Sequence, residues 1–99
     1  MHEKQFPETI DEAVDVLIAA LSDDEKARLA AMALSELVGL HFGLGMWIRN
    51  HLGLWKGNDT LMRVIGDGDP SIHPDDASMV IIEAVWQRLR EMDGRFEKH

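Results

Sequence analysis

The chain has 99 residues, of which 45% are hydrophobic and 28% are charged, a composition typical of one ordinary globular domain. It contains no cysteine, which excludes disulfides, zinc–thiolate sites and thiol catalysis. The formal net charge is −8, and no basic stripe of the kind that binds nucleic acid is present.

Capping boxes begin the first two predicted helices. In Thr9–Glu12 and again in Ser22–Glu25, a hydroxyl and a carboxylate lie three residues apart, so that each can satisfy a free backbone amide. Apolar residues then recur at helical spacing and predict helix 1 over residues 10–21. Helix 2 follows the second capping box. The pattern allows it either to stop near Leu34 or to continue into the next helix.

Residues 35–52 are predicted to form helix 3, the central apolar helix of the fold. At helical spacing one of its sides carries Leu37, His41, Leu44, Ile48 and Leu52. The helix contains three glycines, and each costs up to about 1 kcal/mol relative to alanine. Gly39 and Gly43 either contact another backbone closely or mark a bend or break, and both interpretations stay open.

Turn and cap residues place the last two helices. Gly53 is predicted to end helix 3, and Asn58 is predicted to cap a short helix 4 over residues 59–65. Pro74 suits the first position of helix 5, which runs to about Met92.

The segment between helices 4 and 5, residues 66–74, contains two glycines and two prolines and is predicted to be a loop. Asp67 and Asp69 resemble the start of a calcium-binding loop. However, such a loop needs glutamate at its twelfth position, where this chain has Ser78. We therefore interpret the segment as a surface turn.

Helix 5 has an apolar arc of about 260°, which is wider than a helix lying on one core requires. Either helix 5 is central and covered on both sides, or Met79, Ile82 and Trp86 contact a second chain. Together the elements predict an all-α fold, a compact single-domain bundle of about five helices around residues 35–52. Residues 1–8 form an N-terminal arm and residues 93–99 a frayed tail.

A candidate site for a ligand or partner lies around the end of helix 3. It comprises His41, Trp47, Arg49, Asn50 and Trp55. Arg49 either bonds the last helix carbonyls or holds a small anion, a carboxylate or phosphate, against an aromatic wall. His41 is either functional or a buried histidine bonded to a carbonyl or carboxylate. The tryptophans are interpreted as core anchors.

Catalytic, metal and cofactor sites are not expected. His73, Asp75 and Asp76 lack the spacing of a known metal motif. Side chains of adjacent acids diverge by about 100° on a helix, so such pairs are poor general acid–base partners. We predict that the chain is not an enzyme.

The segment HFGLGMWIRNHLGLW, followed by HPDDAS-x-x-IIEA-x-W, resembles a family of small bacterial proteins of unknown function. That family is built around an H-x-x-LG-x-W/Y-IRN core, and the resemblance extends from about Phe6 to Leu89. It implies a single helical domain and adds no chemistry. His51 stands where asparagine is common in the family.

The negative charge lies mainly at the two ends of the chain, a distribution compatible with a basic protein partner and equally with charge that only keeps the domain soluble. Residues 1–28 carry eight acids against three bases and residues 67–99 carry eight against four, whereas residues 29–66 carry two against three. We predict a protein-interaction module that associates with itself or binds a protein partner, for which a basic partner would suit the acidic ends. The alternative is a domain that binds a small anion through Arg49, Asn50 and Trp55.

No partner of another class is expected. The first residues lack the apolar segment of a signal peptide, and no run has the length of a membrane span. We therefore expect a cytoplasmic protein that binds neither membranes nor nucleic acid.

Overall fold

The computed structural model describes residues 6–67 and 72–97. This part of the chain contains five α-helices and no strand, namely α1 (Ile10–Ala20), α2 (Asp23–Ala30), α3 (Met46–His51), α4 (Asp59–Ile65) and α5 (Pro74–Glu97). A 3-10 helix, Leu34–Leu40, and a π-helix, His41–Gly45, lead directly into α3. The predicted all-α fold of about five helices is confirmed.

Parts of three predicted segments lie outside the described residues: residues 1–5 of the arm, residues 68–71 of the loop and residues 98–99 of the tail. Asp69 of the calcium-loop alternative is among them. Helix α5 continues to Glu97, five residues beyond its predicted end at Met92.

Side-chain caps begin α1 and α2 as the sequence predicts. The Thr9 hydroxyl accepts a hydrogen bond from the Glu12 amide at 3.1 Å, and the Glu12 carboxylate accepts one from the Glu8 amide at 2.9 Å. At α2 the Ser22 hydroxyl and the Glu25 carboxylate form a reciprocal capping box, with distances of 3.1 and 2.9 Å. These bonds satisfy amides that have no partner within the helix.

Helices 2 and 3 are separate, which the sequence left open. Helix α2 ends at Ala30, and the Glu36 carboxylate accepts a hydrogen bond from the Ala33 amide at 2.7 Å where the 3-10 helix begins. Residues 34–51 are helical, close to the predicted 35–52, but they change from 3-10 to π to α geometry. Gly39 and Gly43 lie in the first two of these segments. Apart from the adjoining residues and backbone of its own helix, a Cβ added to either would have no atom of the described residues within 4 Å. The interpretation that another backbone contacts these glycines is therefore wrong for residues 6–67 and 72–97, and the structure contains a change of helix geometry at this point instead.

A glycine and an asparagine control the turn after α3. Gly53 has φ +71° and allows the Leu54 amide to donate to the Arg49 carbonyl at 3.1 Å, which closes the helix in a Schellman turn. Asn58 is buried. Its Oδ1 accepts from the Leu61 amide at 3.2 Å, and its Nδ2 donates to two carbonyls, those of Pro7 (2.9 Å) and Leu52 (2.8 Å). Asn58 thus caps α4, as predicted, and also joins it to the N-terminal arm and to the end of α3.

Helix α5 occupies the central position that the sequence assigned to residues 35–52. It contacts α1, α2, α3, α4, the 3-10 helix and the π-helix. Among its residues 74–92, four apolar ones are fully buried: Ala77, Ile81, Ile82 and Val85. These contacts explain the wide apolar arc of α5, because other helices cover α5 on more than one side. Residues 35–52 still contribute to the core through Leu37 and Ile48, which are buried.

Candidate functional site

The buried side chain of Arg49 connects helix 3 to the start of α5. Arg49 is 4% exposed, and its Nη1 donates to Ser78 Oγ at 3.1 Å while its Nη2 donates to the His41 carbonyl at 3.2 Å. Its Nε lies 3.3 Å from Asp75 Oδ1, although the N–H is not aligned for a hydrogen bond. The guanidinium therefore already has a carboxylate of its own chain as its counter-ion. We call Arg49, His41, His73, Asp75 and Ser78 the arginine cluster.

Ser78 lies at the centre of the arginine cluster and is fully buried. Its hydroxyl donates to the Asp75 carbonyl at 2.9 Å and accepts from Arg49, so both its donor and an acceptor site are used. Sequence reasoning did not place Asp75 and Ser78 beside Arg49. The feature of the sequence that could have indicated this contact is Ser78 itself, a single serine among the apolar residues of α5.

Gly45 provides the space that Arg49 occupies. A Cβ at this position would lie 3.0 Å from Arg49 Nη1, 3.4 Å from the Leu40 carbonyl oxygen and 3.5 Å from Ser78 Oγ. Side chains on a helix lean toward the preceding turn, and the arginine accordingly folds back over residue 45. This glycine has a packing role that Gly39 and Gly43 lack.

Two histidines flank Asp75 in the arginine cluster. His41 is half-buried, with Nε2 3.9 Å from Asp75 Oδ2, a distance too long for a hydrogen bond. His73 Nδ1 lies 3.8 Å from the same oxygen and accepts a hydrogen bond from the Asp75 amide at 3.0 Å. The accepting nitrogen carries no proton in that bond, so His73 acts there as a helix cap. Within residues 6–67 and 72–97, no three histidine or acidic groups are arranged to hold a metal ion.

The remaining predicted site residues are not assembled around Arg49. Trp55 is exposed and meets the edge of the His73 ring at 5.8 Å, so it borders the arginine cluster from outside. Trp47 is half-buried and stacks on His51, with ring centroids 4.2 Å apart. Asn50 is exposed. The structure thus places His41 beside Arg49, but Trp47, Asn50 and Trp55 do not join them to form the anion site predicted from the sequence.

The predicted oligomer face on α5 is engaged within the chain. Ile82 is 0% exposed, and Met79 is half-buried. The indole N–H of Trp86 donates to the Met32 carbonyl at 2.9 Å, and the Arg90 guanidinium lies 4.8 Å from the centre of the Trp86 ring. Arg90 also donates to the Ala30 carbonyl at 3.1 Å, so this pair satisfies carbonyls at the C-terminal end of α2.

A run of large apolar side chains on helix 3 is exposed instead. It consists of Leu34, Val38, Phe42 and Met46, spaced four residues apart, and we call it the apolar stripe. Phe42 is 78% exposed and Val38 is 68% exposed. Sequence reasoning missed these residues.

A hollow of about 290 Å³ lies beside the apolar stripe, between α1, the start of α2 and helix 3. Its walls include Leu17, Leu21, Glu25, Gly43, Leu44 and Trp47. A second cavity of about 200 Å³ shares Leu21, Glu25 and Leu44 with it and extends toward the end of α2. Most residues that line the two cavities are apolar, and we call the two cavities together the apolar groove.

Among the described residues, no helix has the length and hydrophobicity needed to cross a membrane. No curated protein and no solved structure matches the chain. The family model of a domain of unknown function, DUF6794, matches residues 6–89, and the chain therefore belongs to that family.

Proposed function

We propose that this domain is a protein-interaction module and that the apolar stripe is its binding surface. The observation that carries the proposal is the exposure of four large apolar side chains within the short continuous segment 34–46, which runs from the 3-10 helix through the π-helix to the start of α3. Single exposed apolar residues are common, but contiguous patches of about 300–600 Å² on a monomer often mark an interaction site. The adjoining apolar groove enlarges this surface.

The alternative, a domain that binds a small anion, has less support from the geometry. Arg49 would have to give up its hydrogen bonds to Ser78 and to the His41 carbonyl before it could hold a ligand. Asp75 already supplies the negative charge beside it, and a second anion would be repelled. Asn50 and Trp55 do not converge on the guanidinium. A non-enzymatic role, a cytoplasmic location, a bacterial origin and a basic partner stay predictions from the sequence.

Photo-crosslinking in the native host tests the proposal. A benzophenone amino acid replaces Phe42 in one variant and Val64, an exposed apolar residue of α4, in the control variant. We expect a discrete covalent adduct from position 42 and none from position 64. The absence of an adduct at position 42, or the same adducts at both positions, would overturn the proposal.

A further inference from the structure

We propose that the hollow between α1, the start of α2 and helix 3 binds a small organic cation, an ammonium group carried on an apolar body. The apolar body lies against the walls of the hollow, and the ammonium group lies at the Glu25 carboxylate. The site is separate from the apolar stripe and does not require that the stripe binds a protein. Its walls, its opening and its charge carry the proposal.

The walls of the hollow are apolar except at one point. Six of the residues that line it carry no charge, namely Leu17, Ala20, Leu21, Gly43, Leu44 and Trp47. Ligand cavities measure about 300–1,000 Å³ and combine apolar walls with a few polar groups. With about 290 Å³, the hollow lies at the small end of this range. A ligand that fits it is therefore small and mainly apolar.

Gly43 leaves open space beside the hollow. Glycine is costly inside a helix, and Gly43 has no positive φ that would require it. Apart from the adjoining residues and the backbone of its own helix, no described atom lies within 4 Å of a Cβ added there. Because Gly43 itself lines the hollow, the missing side chain keeps this space accessible to a ligand.

Glu25 gives the hollow its charge, since it is the one ionisable residue among those that line it. The Ser22 backbone amide, then the Ser22 hydroxyl and least of all Arg28 hold the pKa of the Glu25 carboxyl below its ordinary value, so the group is an anion at neutral pH. The Glu25 carboxylate accepts a hydrogen bond from the Ser22 amide at 2.9 Å and has further lone pairs for an ammonium group. Trp47 also lines the hollow, and an indole attracts a cation more strongly than other side-chain rings do.

The surroundings of Glu25 favour a cation over an anion. Asp23 and Asp24 precede it in the first turn of α2, and the chain carries a net charge of −8. Lys26 pairs with Asp23 at 3.6 Å, and Arg28 lines the second cavity rather than the hollow. The field of the chain therefore concentrates cations at this site. Because Glu25 is exposed, solvent screens the pair, and a cation should bind only a few times more tightly than a neutral molecule of the same shape.

An NMR titration of the purified, ¹⁵N-labelled chain tests the proposal with three probes of similar length: n-hexylammonium chloride, hexan-1-ol and sodium hexanoate. We expect hexylammonium to shift the amide signals of the wall residues and the indole signal of Trp47, with a Kd on the order of 1–10 mM for so few atoms. Hexan-1-ol should bind about threefold more weakly, and hexanoate more weakly still. The affinity for hexylammonium should fall from about 0.05 to 0.5 M NaCl, because salt screens the pair.

Glu25→Gln and Glu36→Gln are matched variants. Both residues are exposed acids whose carboxylates accept a capping hydrogen bond that glutamine can also accept, but only Glu25 lines the hollow. Glu25→Gln should weaken the binding of hexylammonium about threefold and leave that of hexan-1-ol unchanged, whereas Glu36→Gln should change neither. Gly43→Leu should weaken both probes at least about threefold by filling the space beside the hollow. Circular dichroism should show that all three variants keep their helices.

The absence of shifts at the wall residues, with hexylammonium at about ten times the expected Kd, would overturn the proposal. So would equal affinities for hexylammonium and hexanoate. Equal losses in Glu25→Gln and Glu36→Gln would indicate attraction by the net charge rather than by a site, and unaltered binding in Gly43→Leu would show that the probes bind elsewhere. Either result would refute the proposal. None of these outcomes affects the crosslink expected at position 42, so this proposal and the proposed function fail separately.

Discussion

Replacement of Arg49 by methionine distinguishes a structural arginine from a ligand-binding one. Methionine keeps an unbranched apolar stem but removes the guanidinium. The variant loses the two hydrogen bonds to Ser78 and to the His41 carbonyl. Hydrogen bonds to a charged group contribute about 1.5–3 kcal/mol each. The Asp75 side chain is 41% exposed, so solvent screens the ion pair, which adds little.

The expected loss is about 2–4 kcal/mol, because Ser78 retains its bond to the Asp75 carbonyl and methionine fills part of the space. That is a large share of a total stability on the order of 5–15 kcal/mol. For a domain of this size each kcal/mol shifts the Tm by about 4–8 °C, so the Tm should fall on the order of 10–25 °C. Urea unfolding followed by tryptophan fluorescence measures the change directly.

Asp75→Asn is the matched control for the Arg49 prediction. It removes the counter-ion of the buried guanidinium but leaves both guanidinium hydrogen bonds in place, so the expected loss is smaller than that of Arg49→Met. If Arg49→Met lies within about 0.5 kcal/mol of the unaltered chain, the structural role is refuted. Thermal stability in phosphate or acetate completes the test. A stabilisation by these anions that Arg49→Met abolishes would support the anion-binding alternative.

Three further predictions concern local features of the fold. Asn58→Ala should cost about 2–4 kcal/mol in urea unfolding, because it leaves two buried carbonyls and a helix amide without a partner. An equal loss in Ser22→Ala, an exposed cap worth about 1 kcal/mol, would contradict this reasoning. Gly45→Ala should destabilise the fold by crowding the guanidinium, whereas Gly43→Ala, with open space around its Cβ, should stabilise it by up to about 1 kcal/mol. Thermal melts that shift both variants in the same direction would count against the packing argument. The Ser22 backbone amide, and secondly its hydroxyl, hold the pKa of Glu25 below its ordinary value. The contribution of Glu25 to stability is therefore complete above the pKa of the unfolded chain and is lost as the pH falls through the folded pKa. Unfolding curves at decreasing pH should lose less stability in Glu25→Gln than in the unaltered chain, and parallel losses would refute the assignment.

Local features of the fold could be predicted from the sequence because their causes lie within a few residues. The hydroxyls of Thr9 and Ser22 bond amides three residues later, and Asn58 caps α4 in the same way. Gly53 ends α3 because it adopts a positive φ without steric cost. These signals determine where most helices begin or end, and hence the all-α class.

Long-range partners could not be predicted in this way. Arg49 and Ser78 are 29 residues apart in the chain, and their hydrogen bond exists only because α5 packs against helix 3. The role of Gly45 follows from that contact, because a Cβ at residue 45 would crowd the Arg49 side chain. The Cβ positions of Gly39 and Gly43 face open space, a difference that the sequence does not reveal. The same holds for Trp86, whose indole bonds a carbonyl 54 residues away.

Which face of helix 3 is buried also depends on tertiary packing. Leu37, Leu40, Leu44 and Ile48 recur at intervals of three or four residues, and so do Leu34, Val38, Phe42 and Met46. Periodicity places each set on a face but does not say which face meets the core. In the structure α5 packs against the 3-10 helix, the π-helix and α3, and Leu37 and Ile48 are buried whereas the second set is exposed. Sequence therefore determined the helices and their caps, whereas the exposed surface depends on contacts between segments that are distant in the chain.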